Sequence, residues 1–303
     1  MVGEWEWLWV PATLVAAAAQ VGRNAIQRSL SGPLGTLGAT QVRFLYGFPF
    51  AIVFFLAALW LTQAALPSFS LEFFLYTFCG AVSQILGTAL MLAAMQRREF
   101  VVVTAWTKTE PIQVALFGVL VLSDPISLAG ACAILAATLG VVVLSRPASA
   151  SAQATSWHAV VMGLLAAAGF AVSAVAFRGA ILVLDSNNFL VAASFTLVVS
   201  LGCQTTLLAV WMRVKYPDVW KRCLAEWRAS ILGGFLGALA SQGWFIGFAL
   251  TSAANVRTLG LVEVLFAQAV SYKLFLARTS GRDWVGIGLI LAGVATLLWV
   301  GAG

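Results

Sequence analysis

Apolar stretches of about 20 residues, the length needed to cross the hydrocarbon core of a bilayer, recur from one end of this chain to the other. No segment between them is polar enough to form a soluble domain of its own. Of the 303 residues, 61% are hydrophobic and only 9% are charged. Soluble domains carry about 25% charged residues, and a water-soluble fold of this size could not hide so much apolar surface. The expected class is therefore an all-α integral membrane protein, because a helix satisfies its own backbone hydrogen bonds in lipid.

The pattern predicts ten transmembrane helices, at roughly 7–28, 34–61, 70–96, 99–122, 126–145, 157–180, 188–212, 229–252, 255–277 and 283–301. Residues 146–156 are small and polar and read as a linker. They divide the chain into a first five-helix half, 1–145, and a second, 157–303. The halves share an order of features. Ser83-Gln84 is matched by Ser241-Gln242, and Glu110 by Glu263. The run from Gly130 to Gly140 is matched by that from Gly286 to Thr296. Five is odd, so the two halves must cross the membrane in opposite senses, and inverted repeats with a site at their interface are a transporter architecture.

The net charge is +6. In a membrane protein such an excess marks cytoplasmic loops and gives no reason to invoke nucleic acid. Arg23, Arg28, Arg97, Arg98, Arg146, Arg213, Lys215, Lys221, Arg222, Arg228, Lys273, Arg278 and Arg282 fall in or beside the odd-numbered connections. Only Arg178 and Arg257 fall near the other side. Both termini are then expected outside the cytoplasm. The first residues carry Glu4 and Glu6 and no basic residue, unlike a cleavable signal peptide, so the first helix is expected to be retained.

With Thr109-Glu110-Pro111, the glycine patterns at Gly130 and Gly286–Gly293 and the duplicated plan in view, the chain resembles ten-helix members of the drug/metabolite transporter superfamily, EamA type. The resemblance covers nearly the whole chain. It implies two inverted repeats around a central cavity lined mainly by helices 1, 3, 4, 6, 8 and 9, and export of amino acids or other metabolites. There are departures from the family pattern. Ser123-Asp124 stands where Gly-Glu is frequent, Glu263-Val264 lacks the proline, and Arg278-Thr279 replaces a usual acid. Many relatives are also drawn with cytoplasmic termini.

Charges at mid-membrane depth are costly and face a cavity or a partner. Four stand out: Arg43, Lys108, Glu110 and Glu263. Lys108 and Glu110 lie about 200° apart around a helix and cannot pair with each other. Trp106, Glu110 and Gln113 share a face that would suit a substrate. Pro111 removes a backbone donor and should kink the helix near Glu110. Glu263 is a candidate proton carrier or substrate counter-ion. Arg43, near a helix start, is expected to snorkel to the cytoplasmic surface. The amides Gln20, Asn24, Gln84 and Gln242, with Trp244, either line the cavity or bond helix to helix. Gly233-xxx-Gly237 and Gly243-xxx-Gly247 are expected to bring helices close together. The cysteines, Cys79, Cys132, Cys203 and Cys223, show no paired spacing, and three of them read as small buried hydrophobes.

Enzyme signatures are missing. His158 is the single histidine, and there is no GxSxG elbow or phosphate loop. Neither a cofactor nor a metal is expected. The function expected is secondary transport across the bacterial inner membrane, by a monomer. The cargo would be small polar metabolites, amino acids first, driven by a proton or substrate gradient. The alternatives are an exporter of lipophilic cations and a membrane scaffold that transports nothing.

Overall fold

The computed structural model describes residues 5–95, 106–145, 157–275 and 281–300. The linker 146–156 and the residues Arg97, Arg98, Arg146 and Arg278 lie outside them. The described residues form α1 (Trp9–Thr62), α2 (Leu71–Met95), α3 (Glu110–Leu122), α4 (Leu128–Leu144), α5 (Trp157–Val183) and α6 (Phe189–Lys215). They continue as α7 (Pro217–Ala225), α8 (Trp227–Leu250), α9 (Ala253–Gly260), α10 (Glu263–Phe275) and α11 (Gly281–Val300). Among the described residues, six helices are long and apolar enough to cross a membrane, and α3 and α4 are shorter apolar helices. This is the make-up of a multi-pass membrane protein.

Six differs from ten for physical reasons. Helix α1 covers both of the first two expected spans. Its backbone breaks at Gly35, where φ is 68° and ψ is 179°, a region open essentially to glycine alone. Gln27 Nε2 donates to the Ala39 carbonyl at 3.1 Å. On a straight helix those residues would lie about 18 Å apart along the axis, so the chain folds back at Gly35 into two arms, 9–34 and 36–62. The fourth and ninth expected spans are each interrupted, as described below, and the fifth is present as the shorter, 17-residue α4.

The chain forms two compact units, and each draws on both halves of the sequence. One comprises Met1–Ile85 with Ala176–Thr251, the other Leu86–Val175 with Ser252–Gly303.

In the first unit both arms of α1 pack on α8, and small residues make that possible. A Cβ at Gly243 would come within 2.5 Å of the Ala12 carbonyl, and one at Gly234 within 2.5 Å of the Tyr46 backbone. Gly233 lies against Ile26, and Gly237 against the stems of Arg23 and Arg43. Helix α7 was not expected, because its basic residues had been assigned to a connection. It packs Val219 and Trp220 against Leu30, Leu34, Val42 and Met212, and Tyr46 Oη donates to the Cys223 carbonyl at 3.0 Å. Arg178 of α5 donates to the carbonyls of Phe248 and Thr251. A cation there caps the negative end of α8.

Three expectations need correction in this unit. Arg23, read as a cation beside the first connection, lies inside the first arm and is buried by protein. Arg43 is also buried by protein, its guanidinium over the Phe44 ring at 5.0 Å, instead of reaching the surface. Cys79 is exposed, as is Cys132 of the second unit, and Cys203 is intermediate; Cys223 alone of the four is buried.

In the second unit α4 and α11 are held together by glycines. A Cβ at Gly140 would come within 2.7 Å of the Gly286 carbonyl, and one at Gly293 within 2.7 Å of the Ala133 carbonyl. Residue numbers rise along one helix as they fall along the other, so the pair is antiparallel. These are the two segments whose sequences resemble each other.

Candidate functional site

The interruptions of the fourth and ninth segments both lie in the second unit, and each immediately precedes an acid. In the fourth, Trp106 and Thr107 are helical, Lys108 and Thr109 form a turn, and α3 begins at Glu110. The bonds Thr109 N to Trp106 O and Ile112 N to Thr109 O, both 3.1 Å, tighten the chain into a three-residue repeat. Pro111 near the start of α3 lacks the donor that would continue a regular helix. In the ninth, α9 ends at Gly260, Leu261 and Val262 form the turn, and α10 begins at Glu263. Ser252 caps α9, accepting from Asn255 N at 3.2 Å.

Both carboxylates therefore stand in the first turn of a helix, where the backbone dipole favours negative charge, and Arg257 stands in the last turn of α9, where it favours positive charge. Two ion pairs join the segments crosswise. Lys108 Nζ bonds Glu263 Oε1. Arg257 Nε lies 3.1 Å from Glu110 Oε1, without the alignment of a hydrogen bond. Each acid takes its cation from the other half of the sequence. Side-chain exposure is 22% and 8% for Lys108 and Glu263, and 12% and 16% for Arg257 and Glu110. The pairs are thus shielded from solvent. Breaking a buried pair by removing one partner costs about 3–5 kcal/mol, so these contacts stay closed unless another charge replaces the lost one.

The expected site residues divide between the units. Lys108, Glu110 and Glu263 come together in the second. Trp106 is nearby in sequence but 37% exposed, and Gln113 Nε2 donates to the Leu164 carbonyl at 3.5 Å. Three of the four amides of the first unit bond helix to helix. Trp244 Nε1 donates to Gln20 Oε1 at 3.2 Å, whereas Asn24 Oδ1 accepts at 2.8 Å from Arg23, its neighbour on the same arm. The two Ser-Gln glutamines both bond to α6, Gln84 accepting from Gln204 at 2.7 Å and Gln242 donating to Ser194 Oγ at 2.9 Å.

Arg257 was missed as a site residue. It was read as a flanking cation at a helix start, whereas it lies on the last turn of α9 facing Glu110. The signal available was its position six residues before Glu263 in the same apolar segment. Arg178 and Arg257, the exceptions to the charge asymmetry, both bind specific protein groups.

The fold has a known counterpart. The chain is similar to a crystal structure of a protein with a TM-score of 0.71 and 18% identity, covering 96% of each chain. That likeness concerns the fold alone. No family model matches the sequence, and no curated protein matches it.

Taken together, the cluster is a neutral set of two acids and two bases on interrupted helices. Such a set can exchange a cation for a substrate ammonium and an acid for a substrate carboxylate. It can also release a cation when a carboxylate takes up a proton.

Proposed function

We propose that this chain is a secondary transporter of the drug/metabolite transporter superfamily, EamA type. In this reading it exports small polar metabolites, amino acids first among them, across the bacterial inner membrane by alternating access. The observation that carries the proposal is the crossed ion pairs, Lys108–Glu263 and Arg257–Glu110, at two helix breaks. Discontinuous helices with charges at their ends are where transporters hold substrates and coupling ions, and a merely structural core gains little from buried ions. A zwitterionic substrate would engage one acid and one cation of the set. A proton on Glu110 or Glu263 would supply the coupling. The cation beside each acid argues against a lipophilic cation as the main cargo.

The same reading takes the chain as ten spans in two inverted repeats, 1–145 and 157–303, around a central cavity with both termini outside. The antiparallel packing of the sequence-similar helices α4 and α11 supports opposite orientation of the halves. So does the antiparallel order of the two ion pairs.

Purified protein in liposomes, offered labelled amino acids and cationic dyes with and without a pH gradient, tests the proposal. Gradient-stimulated movement of amino acids is expected. Movement of dyes alone would replace the substrate class, and movement of nothing would favour a scaffold.

A further inference from the structure

Helix α7 has no part in the transport reading, and its position says what it meets. It joins two helices long and apolar enough to cross the membrane, α6, which ends at Lys215, and α8, which begins at Trp227. Gln242, in the second half of α8, bonds Ser194, near the start of α6, so the two spans run antiparallel and α7 lies at one end of the pair. One non-helical residue separates it from each span, Tyr216 (φ −140°, ψ 56°) and Glu226 (φ −83°, ψ 26°), and Pro217 opens it. A short helix that links two spans and continues neither rests at the membrane surface, where headgroups meet acyl chains.

The inner face of α7 carries Val219, Trp220 and Cys223, and it seats the fold-back of α1. Val219 and Trp220 pack on Leu30 and Leu34 before Gly35 and on Val42 after it. A Cβ at Gly38 would lie 3.2 Å from both Val219 and Cys223. The outer surface is built differently. Arg213, Lys215, Lys221, Arg222 and Arg228 are all exposed, against two exposed acids, Asp218 and Glu226. Among the described residues no carboxylate pairs with any of the five cations.

Exposed apolar and aromatic groups are interleaved with these cations: Trp211, Val214, Tyr216, Leu224 and Trp227. Trp211 and Tyr216 pack edge to face with ring centroids 5.4 Å apart, and the Arg228 guanidinium stands 5.3 Å from the Trp227 ring centroid. A loop that only follows the positive-inside bias needs charge alone. Rings beside cations that lack a carboxylate partner suit a surface of anionic lipid. The rings sit at headgroup level while the cations reach phosphate oxygens.

We propose that residues 211–228 form a docking surface for anionic phospholipid headgroups. The phosphates bridge α7 to the ends of α6 and α8, so an occupied surface clamps the helix that seats the turn of α1. Five bases against two acids give the patch a net charge of +3, which selects anionic over zwitterionic lipid. The surface uses none of the residues in the two ion pairs of the second unit, so it stands whether or not the transport reading does.

The test is a thermal-shift titration of the purified full chain in neutral detergent with dioleoyl phosphatidylglycerol, and with dioleoyl phosphatidylcholine as the control. A saturable rise in melting temperature with phosphatidylglycerol alone, weakened by added salt, supports the surface. Each cation near an anionic membrane is worth about fivefold in affinity, so Lys221→Gln combined with Arg222→Gln should weaken it about 30-fold. Glu226→Gln should strengthen it about fivefold, a gain that no folding defect imitates. All three side chains are exposed, so the lipid-free melting temperatures should match the parent. Equal shifts with the two lipids, no shift at all, or a phosphatidylglycerol affinity that both variants leave unchanged would overturn the proposal. So would a shift with heparin and none with phosphatidylglycerol, which would assign the patch to a soluble acidic partner.

Discussion

Glu110 Oε1 and Arg257 Nε lie 3.1 Å apart, and they come from opposite halves of the sequence and from two segments that are both interrupted beside them. Each group depends on the other, because a buried charge that loses its partner keeps its desolvation cost. Glu110→Gln alone should destabilise the protein by about 3 kcal/mol, and Arg257→Gln alone by a similar amount. The double variant should recover most of that loss. Thermal unfolding of all four proteins in one detergent measures the coupling. Simple addition of the two losses would mean that the pair contributes nothing specific.

Lys108 bonds Glu263 from the other side of the same cluster. Lys108→Met should impair transport of a zwitterion about 10- to 150-fold, through loss of one charge-assisted hydrogen bond. It should spare any purely cationic substrate, since the acids remain. Uptake by liposomes at matched protein levels reads both. Equal loss for zwitterion and cation would point to damaged packing instead of lost recognition.

The seam between α4 and α11 leaves no room for a methyl group at Gly140, where a Cβ would meet the Gly286 carbonyl at 2.7 Å. Gly140→Ala should cost about 1–3 kcal/mol by overpacking. Gly288 has nothing within 4 Å of its Cβ position, so Gly288→Ala serves as the control and should be neutral or slightly stabilising by helix propensity. Equal melting temperatures for the two variants would contradict the seam.

Two helices end in non-glycine residues with left-handed backbones, Gln63 (φ 51°) and Ser123 (φ 55°). That conformation costs an L-residue about 1–2 kcal/mol, and glycine adopts it freely. Ser123→Gly and Gln63→Gly should each raise the melting temperature. Ser123→Ala, which keeps the strain, should not, and a lower melting temperature for both glycine variants would refute the explanation.

Cys223 on α7 has its thiol pushed up by burial from the ordinary 9.0 to about 11. The folded state therefore holds that proton more tightly than the unfolded chain does. The resulting stability is fully present below pH 9 and is lost as the pH rises through about 11. Cys223→Ala should flatten the fall in stability between pH 9 and 11. An unchanged alkaline limb would show that other groups govern it.

Much of the second unit's site was legible because a charge in an apolar run is conspicuous. Lys108, Glu110 and Glu263 stood out for that reason, and the 200° offset of Lys108 from Glu110 required partners elsewhere. Pro111 signalled a kink near Glu110, though not that the helix would break there. The second interruption was silent, since Leu261 and Val262 carry no breaking signal and the turn is imposed by tertiary packing. Arg257 was hidden by its place near an expected helix end, where a basic residue ordinarily means a loop. Arg23 was hidden in the same way. Gly35 was unremarkable among 27 glycines, because a positive φ cannot be read from a glycine that has other glycines near it. The hydrogen-bond partners of Gln84 and Gln242 on α6 depend on which helices meet, which no local pattern encodes.

The central claim is that the crossed ion pairs are working parts of a transporter and not packing elements, and the double variant Glu110→Gln with Arg257→Gln tests it most directly. It removes both charges together, so it should fold and insert nearly as the parent does. The measurement is gradient-driven amino-acid uptake by liposomes carrying matched amounts of parent and variant. The account predicts normal stability with most of the transport lost. Normal transport and normal pH dependence in the double variant would contradict it.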